Sequence, residues 1–319
     1  MKLNFYFDIP YGITEEEANL DNPKEEYISD LMTLQISMYE IYKKLRLKYP
    51  HIKINAINSR LLKEVKCCCD KYNIATAVIE NPDNKKYLII SYCDKNFLIN
   101  QSNGWDLENC EGLYTSIGIH ENDINYQLAN LPIGYIPSTI TTWWKSSQDR
   151  IEEIYNSKPN RTIPNKPIFR GYGIHNFRKY LKDNDSRFNI IDFPLDGVDF
   201  INEIGYNSIN IDVNGAAEIS QRTVDILGLG SALIRPKLKI QYHNKLIPNY
   251  HYAEVECEDL SNYKELADKY IDKFEELKKD PDQVEFLSKN GRTWYEQNCK
   301  LDGYVNTYLD ILNINKLFN

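Results

Sequence analysis

Apolar positions recur along this chain at two periods. Leu31, Leu34, Met38, Ile41 and Leu45 stand three and four residues apart, which predicts a helix over residues 27–47. Short apolar runs at 3–7, 53–57, 75–79 and 87–92, bounded by Asn, Pro and Asp, predict strands. Weaker strand signals lie at 113–117 and 133–136. Asn81-Pro82-Asp83-Asn84 predicts a turn between two of the strands.

Residues 157–167, SKPNRTIPNKP, hold three prolines and no apolar period, which predicts an extended linker. Beyond it the pattern alternates. A strand at 168–169 leads to a helix near 175–181, and a strand at 208–213 leads to a helix at 217–227. A strand at 232–234 leads to a loop at 236–248. A strand at 252–256 then precedes a long helix with Tyr263, Leu266, Tyr270, Phe274 and Leu277 as its apolar stripe and Ser261 as its cap. Asp280-Pro281 reads as the next cap, with proline in the first helical position. Strands alternating with helices predict a parallel sheet covered on both faces, so this part of the chain reads as a Rossmann-like α/β domain.

At 319 residues the chain suits two domains. The formal net charge of −8 disfavours a protein built to grip nucleic acid. Seven cysteines, three of them consecutive (Cys67, Cys68, Cys69), form neither a disulfide framework nor a zinc spacing, and read as buried, reduced thiols. The first twelve residues are too short and too polar for a signal peptide, and no window approaches the length of a membrane span. The expectation is a soluble, cytoplasmic protein.

Two loops carry candidate chemistry. Arg170-Gly171-Tyr172-Gly173 follows the strand at 168–169, with Arg178 eight residues past Arg170. Asn214-Gly215-Ala216-Ala217 follows the strand at 208–213, with Glu218, Ile219, Ser220 and then Arg222 beyond it. In open parallel sheets ligands bind at the carboxyl ends of strands. Small residues let the backbone approach a phosphate, a helix N-terminus offers N–H donors, and arginine adds a permanently charged fork. Two such loops suit a diphosphate. Neither is the dinucleotide fingerprint, and the P-loop pattern is missing. The bland alternative is a set of surface arginines paired with acids.

The stretches PIFRGYGIHNFRKYL, NGAAEISQRTVDILGLGSALIRP, LIPNYHYAEVECEDL and LSKNGRTWYEQN, in that order, resemble the nucleotide-sugar half of GT-B glycosyltransferases. They are similar in particular to family 90, the capsule-associated and Rumi-like O-glucosyl- and xylosyltransferases. The resemblance covers about residues 165–300. It implies a GT-B fold: two Rossmann-like domains with parallel sheets facing a cleft, an acceptor-side domain at 1–160 and a nucleotide-sugar domain at 165–300. A helix over 301–319 would then return toward the first. It also implies an inverting transfer of a sugar from a nucleotide-sugar donor, a UDP-sugar, to a hydroxyl of a glycan or protein acceptor. By the same resemblance Arg170, Gly171, Arg178 and Arg222 contact phosphates and ribose, with Gly173, Asn214 and Gly215 in the same loops. Glu218, Ile219 and Ser220 then line the nucleotide pocket. Tyr172 stands where the family has serine, and the helix that carries Arg222 is approached by a segment one or two residues longer than usual.

In the first domain YLIISYCDKN parallels the family's strand ending in the catalytic aspartate, which points to Asp94 as general base; Asp8, after the strand at 3–7, is the second candidate. Asp183-Asn184-Asp185 and Asp280-Pro281-Asp282 have the letters of a metal-binding Asp-x-Asp but sit in polar, helix-flanking contexts. The five histidines show no ligand spacing. No metal and no cofactor beyond the donor is expected; arginines and helix N-termini stabilise the leaving diphosphate instead. A non-catalytic protein of the same shape that binds a nucleotide-sugar or a partner, and a GT-B-shaped sugar epimerase, remain open as alternatives.

Overall fold

In the computed structural model the described residues are 2–7, 14–20, 33–58, 76–83, 86–91, 110–115, 119–120, 133–135, 145–170, 176–191, 197–213, 220–238, 240–241, 244–300, 303, 306 and 310. They fall into two units, one of 1–144, 239–244 and 298–319, the other of 145–238 and 245–297.

The first unit carries a six-stranded sheet. Its strands are β1 (Lys2–Phe7), β2 (Lys53–Asn58), β3 (Thr76–Asn81), β4 (Lys86–Ser91), β5 (Cys110–Thr115) and β7 (Ile133–Tyr135), in the order β2-β1-β3-β4-β5-β7. The expected strands at 3–7, 53–57, 75–79 and 87–92 are all present, displaced by a residue or two. The sheet is mixed, which corrects the expectation of a parallel one. β1 pairs in parallel with β2, but β3 runs antiparallel to both β1 and β4. The cause is the turn after Asn81: so short a connection can join strands only as a hairpin, because a parallel return needs a crossover of a dozen residues or more. Leu3 and Phe5 point to one face, where Phe5 meets Tyr42 of the helix α2 (Thr33–Lys48) at 6.1 Å between ring centroids. On the other face the carboxylate of Glu80 accepts from Tyr6 Oη at 2.7 Å and from Asn4 Nδ2 at 3.1 Å. A short helix, α1 (Glu15–Ala18), opens with a Thr14–Glu17 capping box. Two further short strands, β6 (Ile119–His120) and β12 (Ile240–Gln241), pair antiparallel. Lys48 Nζ donates to Asn306 Oδ1 at 3.3 Å within this unit.

The second unit alternates strand and helix. It begins with α3 (Lys145–Ser157), so the division falls at Trp144/Lys145, and the proline-rich 157–167 lies inside the unit. Burial explains this: Ile151 and Ile154 of α3 are in the core. Then follow β8 (Ile168–Arg170), α4 (Asn176–Asn184), β9 (Asn189–Ile191), α5 (Gly197–Gly205), β10 (Ile209–Ile211), α6 (Gln221–Leu229), β11 (Ala232–Pro236), β13 (Ala253–Val255), α7 (Tyr263–Lys278) and α8 (Pro281–Asn298). Every strand pairing within it is parallel among the described residues. β9 and β8 form a two-stranded sheet and β10-β11-β13 a three-stranded one; β8 packs beside β10 without ladder hydrogen bonds to it among the described residues, which sets the two sheets side by side. In chain order these are the second, first, third, fourth and fifth strands, the doubly wound order whose reversal lies between β8 and β10.

Both faces are covered. All five residues of β11 are buried, as expected of a strand between two helical layers. Ile209, Ile211 and Val213 share one face with Phe169, Phe177 of α4 and Tyr270 and Phe274 of α7. Alternation sends Asn210 and Asp212 to the opposite face. Asp280 Oδ1 accepts from Gln283 N at 3.0 Å, capping α8 with Pro281 in its first turn.

Candidate functional site

The reversal of strand order leaves two carboxyl ends side by side, those of β8 and β10. Arg170 is the last residue of β8, and Asp212 and Val213 follow β10. The helices that leave these ends are α4 and α6, nine residues each, and neither has an acidic residue in its first turn. Each instead carries an arginine there, Arg178 in α4 and Arg222 in α6. A cation beside the positive end of a helix dipole is unfavourable by roughly 0.3–1 kcal/mol. Two such placements at one spot call for an anion.

Both guanidiniums gather on one ring. The central carbon of Arg222 lies 4.0 Å from the centroid of Phe169, and that of Arg178 lies 4.7 Å from it. Phe200 of α5 adds a second ring, 5.3 Å from Arg222. Arg178 Nη2 donates to Val213 O at 2.9 Å, and Arg222 Nη2 donates to the carbonyl of Arg170. The Nε atoms of both side chains are buried and have no hydrogen-bond partner among the described residues. Burial lowers the Arg178 guanidinium and brings that of Arg222 down to about 10, with Asp212 opposing in both. Both remain charged at neutral pH, and the described residues do not fully compensate them.

Asp212 is the acid at the centre. Its side chain is 1% exposed. The carboxylate accepts from Ser220 Oγ at 3.0 Å on each oxygen, from Thr223 Oγ1, and from Arg235 Nη1 at 3.3 Å, and it faces Arg222 Nη1 at 3.7 Å. Its carbonyl accepts from Tyr270 Oη at 2.7 Å. Arg235, itself fully buried, also donates to Thr223 Oγ1 at 2.7 Å. A second buried acid, Asp225, is pushed well above the usual carboxylate range by burial. The sequence reading missed Asp212, Thr223 and Arg235. A charged residue in a short apolar strand reads as an exposed position, and only the packing shows that Asp212 and Arg235 meet on one face.

The predicted residues divide as follows. Arg170 is at the expected strand end, but its Nε is paired with Glu203 Oε2 of α5 at 2.5 Å. Arg178 and Arg222 converge as expected. Ser220, expected inside a helix starting at Ala217, is instead the N-cap of α6: its Oγ accepts from Thr223 N, and Asp212 holds it in that role. Gly171, Gly173, Asn214, Gly215, Glu218 and Ile219 lie outside the described residues, as do Asp94, Asp8 and the three consecutive cysteines. Of the two Asp-x-Asp candidates, Asp185 accepts from Arg187 Nε and Nη2 at 2.8 and 2.7 Å, and Asp280 caps α8. His251 Nδ1 accepts from Ile247 N at 2.8 Å, a structural role.

The NGR stretch at 290–292 is also structural. Arg292 Nη2 donates to both oxygens of Glu152 in α3 at 2.9 Å, Nε donates to Glu296 at 2.8 Å, and Nη1 donates to the carbonyl of Gly228. A Cβ on Gly291 would come within 2.7 Å of Leu227 Cδ2 and 2.9 Å of His251 O. These two residues lock α8 onto α6 and α3.

No family model matches the chain, and no curated protein does. Solved structures similar to it include HepE of Anabaena in complex with UDP-glucose, at 9% identity and TM-score 0.40 over 70% of this chain and 71% of that one. A glycosyltransferase from Rickettsia africae is 13% identical, with TM-score 0.42 over 69% of this chain and 67% of that one. A putative UDP-N-acetylglucosamine 2-epimerase from Listeria monocytogenes is 9% identical, with TM-score 0.42 over 100% of this chain and 97% of that one. Among the described residues no helix is long and apolar enough to cross a membrane, and no group of acids, histidines and cysteines is placed to hold a metal ion.

Proposed function

We propose that this chain is a glycosyltransferase of the GT-B kind, whose second unit holds the diphosphate of a nucleotide-sugar at the ends of β8 and β10. One observation carries the reading: Arg178 and Arg222, in the first turns of two helices, converge on Phe169 at the strand-order reversal, with buried Nε donors unused among the described residues. That is where doubly wound sheets bind ligands, and charge-assisted forks are what phosphate oxygens need. The resemblance in sequence names the ligand more finely, as a UDP-sugar, and the acceptor as a hydroxyl of a glycan or protein. Arg170 is held against Glu203 and contributes mainly its carbonyl, which fixes Arg222.

In the transfer, Asp94 takes the proton of the acceptor hydroxyl as it attacks the anomeric carbon, with Asp8 the second candidate; the sugar inverts and the diphosphate leaves. The cations and helix N-termini at the site stabilise the negative charge that grows on the leaving group. The test is a thermal-shift panel of UDP-, GDP- and dTDP-sugars, because a ligand that binds only the folded state raises the melting temperature. The stabilising donor is then incubated with glycan and peptide acceptors, and the product's anomeric configuration is read by NMR. Stabilisation by one nucleotide-sugar class and an inverted product are expected. No stabilisation by any of them sinks the donor assignment, and isotope exchange at sugar C2 without transfer marks an epimerase.

A further inference from the structure

We propose that Asp212 is the positioning residue of the anion site, a role that rests on the diphosphate reading above. One buried carboxylate joins two parts of the site that the sequence keeps apart. Through Ser220 Oγ and Thr223 Oγ1 it holds the first turn of α6, the turn that aims its N-terminus and carries Arg222. Through Arg235 Nη1 at 3.3 Å and Arg222 Nη1 at 3.7 Å it holds guanidiniums that burial disfavours. Arg178, fixed by Val213 O next in the chain, feels the same negative charge. Asp225, pushed well above the usual carboxylate range by burial, also acts on Arg222, but more weakly than Asp212, which in addition faces Arg235 and Arg178.

The geometry excludes direct contact as its task. The side chain is 1% exposed, and hydroxyl and guanidinium donors already occupy both of its oxygens. An anionic ligand is repelled by a carboxylate, so a buried Asp at an anion site is useful only for what it orients. Here it orients Arg222 from one side while the Phe169 ring supports it from another. Without the carboxylate, Arg222 and Arg235 lose a counter-charge, and solvent becomes the better place for the one nearer the surface. That is Arg222, whose side chain is 15% exposed against 0% for Arg235.

The test uses the full chain with Asp212→Asn, which keeps the shape and removes the charge. Thr223→Val, which removes one hydroxyl donor from the carboxylate, is the second variant. Inorganic pyrophosphate is the probe in calorimetry, and the side-chain Nε–H signals of arginine are followed by NMR. The expected result is a loss of pyrophosphate affinity of at least about tenfold in Asp212→Asn and roughly threefold in Thr223→Val. The Arg222 Nε–H signal should be lost from Asp212→Asn while that of Arg292, buried elsewhere in the unit, persists. Unchanged or tighter pyrophosphate binding in folded Asp212→Asn, or in Thr223→Val if the former does not fold, overturns the proposal. So does joint loss of the Arg222 and Arg292 signals, which marks general loosening. A wild-type chain that fails to bind pyrophosphate overturns the diphosphate reading instead, and the Arg222 signal alone then decides the positioning role.

Discussion

Arg222 stacks on Phe169, its guanidinium carbon 4.0 Å from the ring centroid. This contact places a mostly buried cation at the end of the first strand of the second unit. Stacking on an aromatic face stabilises such a cation by about 0.5–2 kcal/mol, which does not offset the loss of its hydration. The remainder comes from Asp212 and, in the proposed complex, from phosphate oxygens.

Gly291→Ala tests the packing of α8 on α6. Helix propensity alone stabilises the alanine variant by about 1 kcal/mol. The new Cβ, however, meets a backbone carbonyl, His251 O, at 2.9 Å as well as Leu227 Cδ2 at 2.7 Å. A carbonyl cannot rotate away, so overpacking wins. A net destabilisation of about 1–2 kcal/mol is expected, read as a lower midpoint in urea. A raised midpoint would show that α8 sits less tightly on this loop.

Arg292→Lys removes a planar fork from a site built for one. Arg292 is 2% exposed, bridges both oxygens of Glu152, reaches Glu296 and the carbonyl of Gly228, and lies over the Tyr155 ring at 3.8 Å. Lysine reproduces the charge but neither the bidentate bond nor the stack. The variant should lose about 2–3 kcal/mol of stability with unchanged UDP affinity in the protein that remains folded. Wild-type stability would contradict this.

His251 makes stability depend on pH. Burial brings its imidazole down to about 4 in the folded protein, and Nδ1 accepts from Ile247 N there. The unfolded chain takes up the proton near 6.5, so it binds more protons across this window. The stabilisation is therefore complete above about pH 6.5 and is lost as pH falls toward 4, at most about 3 kcal/mol. Melting temperatures from pH 7.5 to 4 should fall more steeply for wild type than for His251→Asn. Parallel curves would contradict it.

Much of the second unit is legible in sequence because its signals are local. Asp280-Pro281 starts α8 as read, and the stripe through Leu266, Tyr270 and Phe274 is buried as read, although Asn262 rather than Ser261 caps α7. In the first unit the turn after Asn81 is legible, and it forces the hairpin that mixes the sheet. β9 and α5 are poorly legible: the strand is three residues long, and the helix is short and begins at a glycine. The arginines of the site could be found because they break local rules for helix starts. Asp212 and Arg235 could not, because what marks them is mutual burial across β10 and β11, a pairing no local pattern records.

Asp94→Asn and Asp8→Asn compare the two candidate bases. Each substitution keeps shape and removes basicity. Asp94→Asn is expected to lower turnover about 10²–10⁴-fold with little change in donor binding, and Asp8→Asn to leave turnover close to wild type. The reverse pattern transfers the role to Asp8. Normal turnover in both places the base elsewhere.

The most direct measurement is calorimetric titration of UDP into the wild-type chain, Arg222→Ala and Arg170→Ala, with folding verified for each. The account predicts that wild type binds UDP and that Arg222→Ala weakens binding by roughly 1.5–3 kcal/mol, the range for charge-assisted hydrogen bonds. Arg170→Ala should cost less, because Glu203 already holds that guanidinium. A wild-type chain that does not bind UDP, or a folded Arg222→Ala protein that binds it as tightly as wild type, would contradict the account.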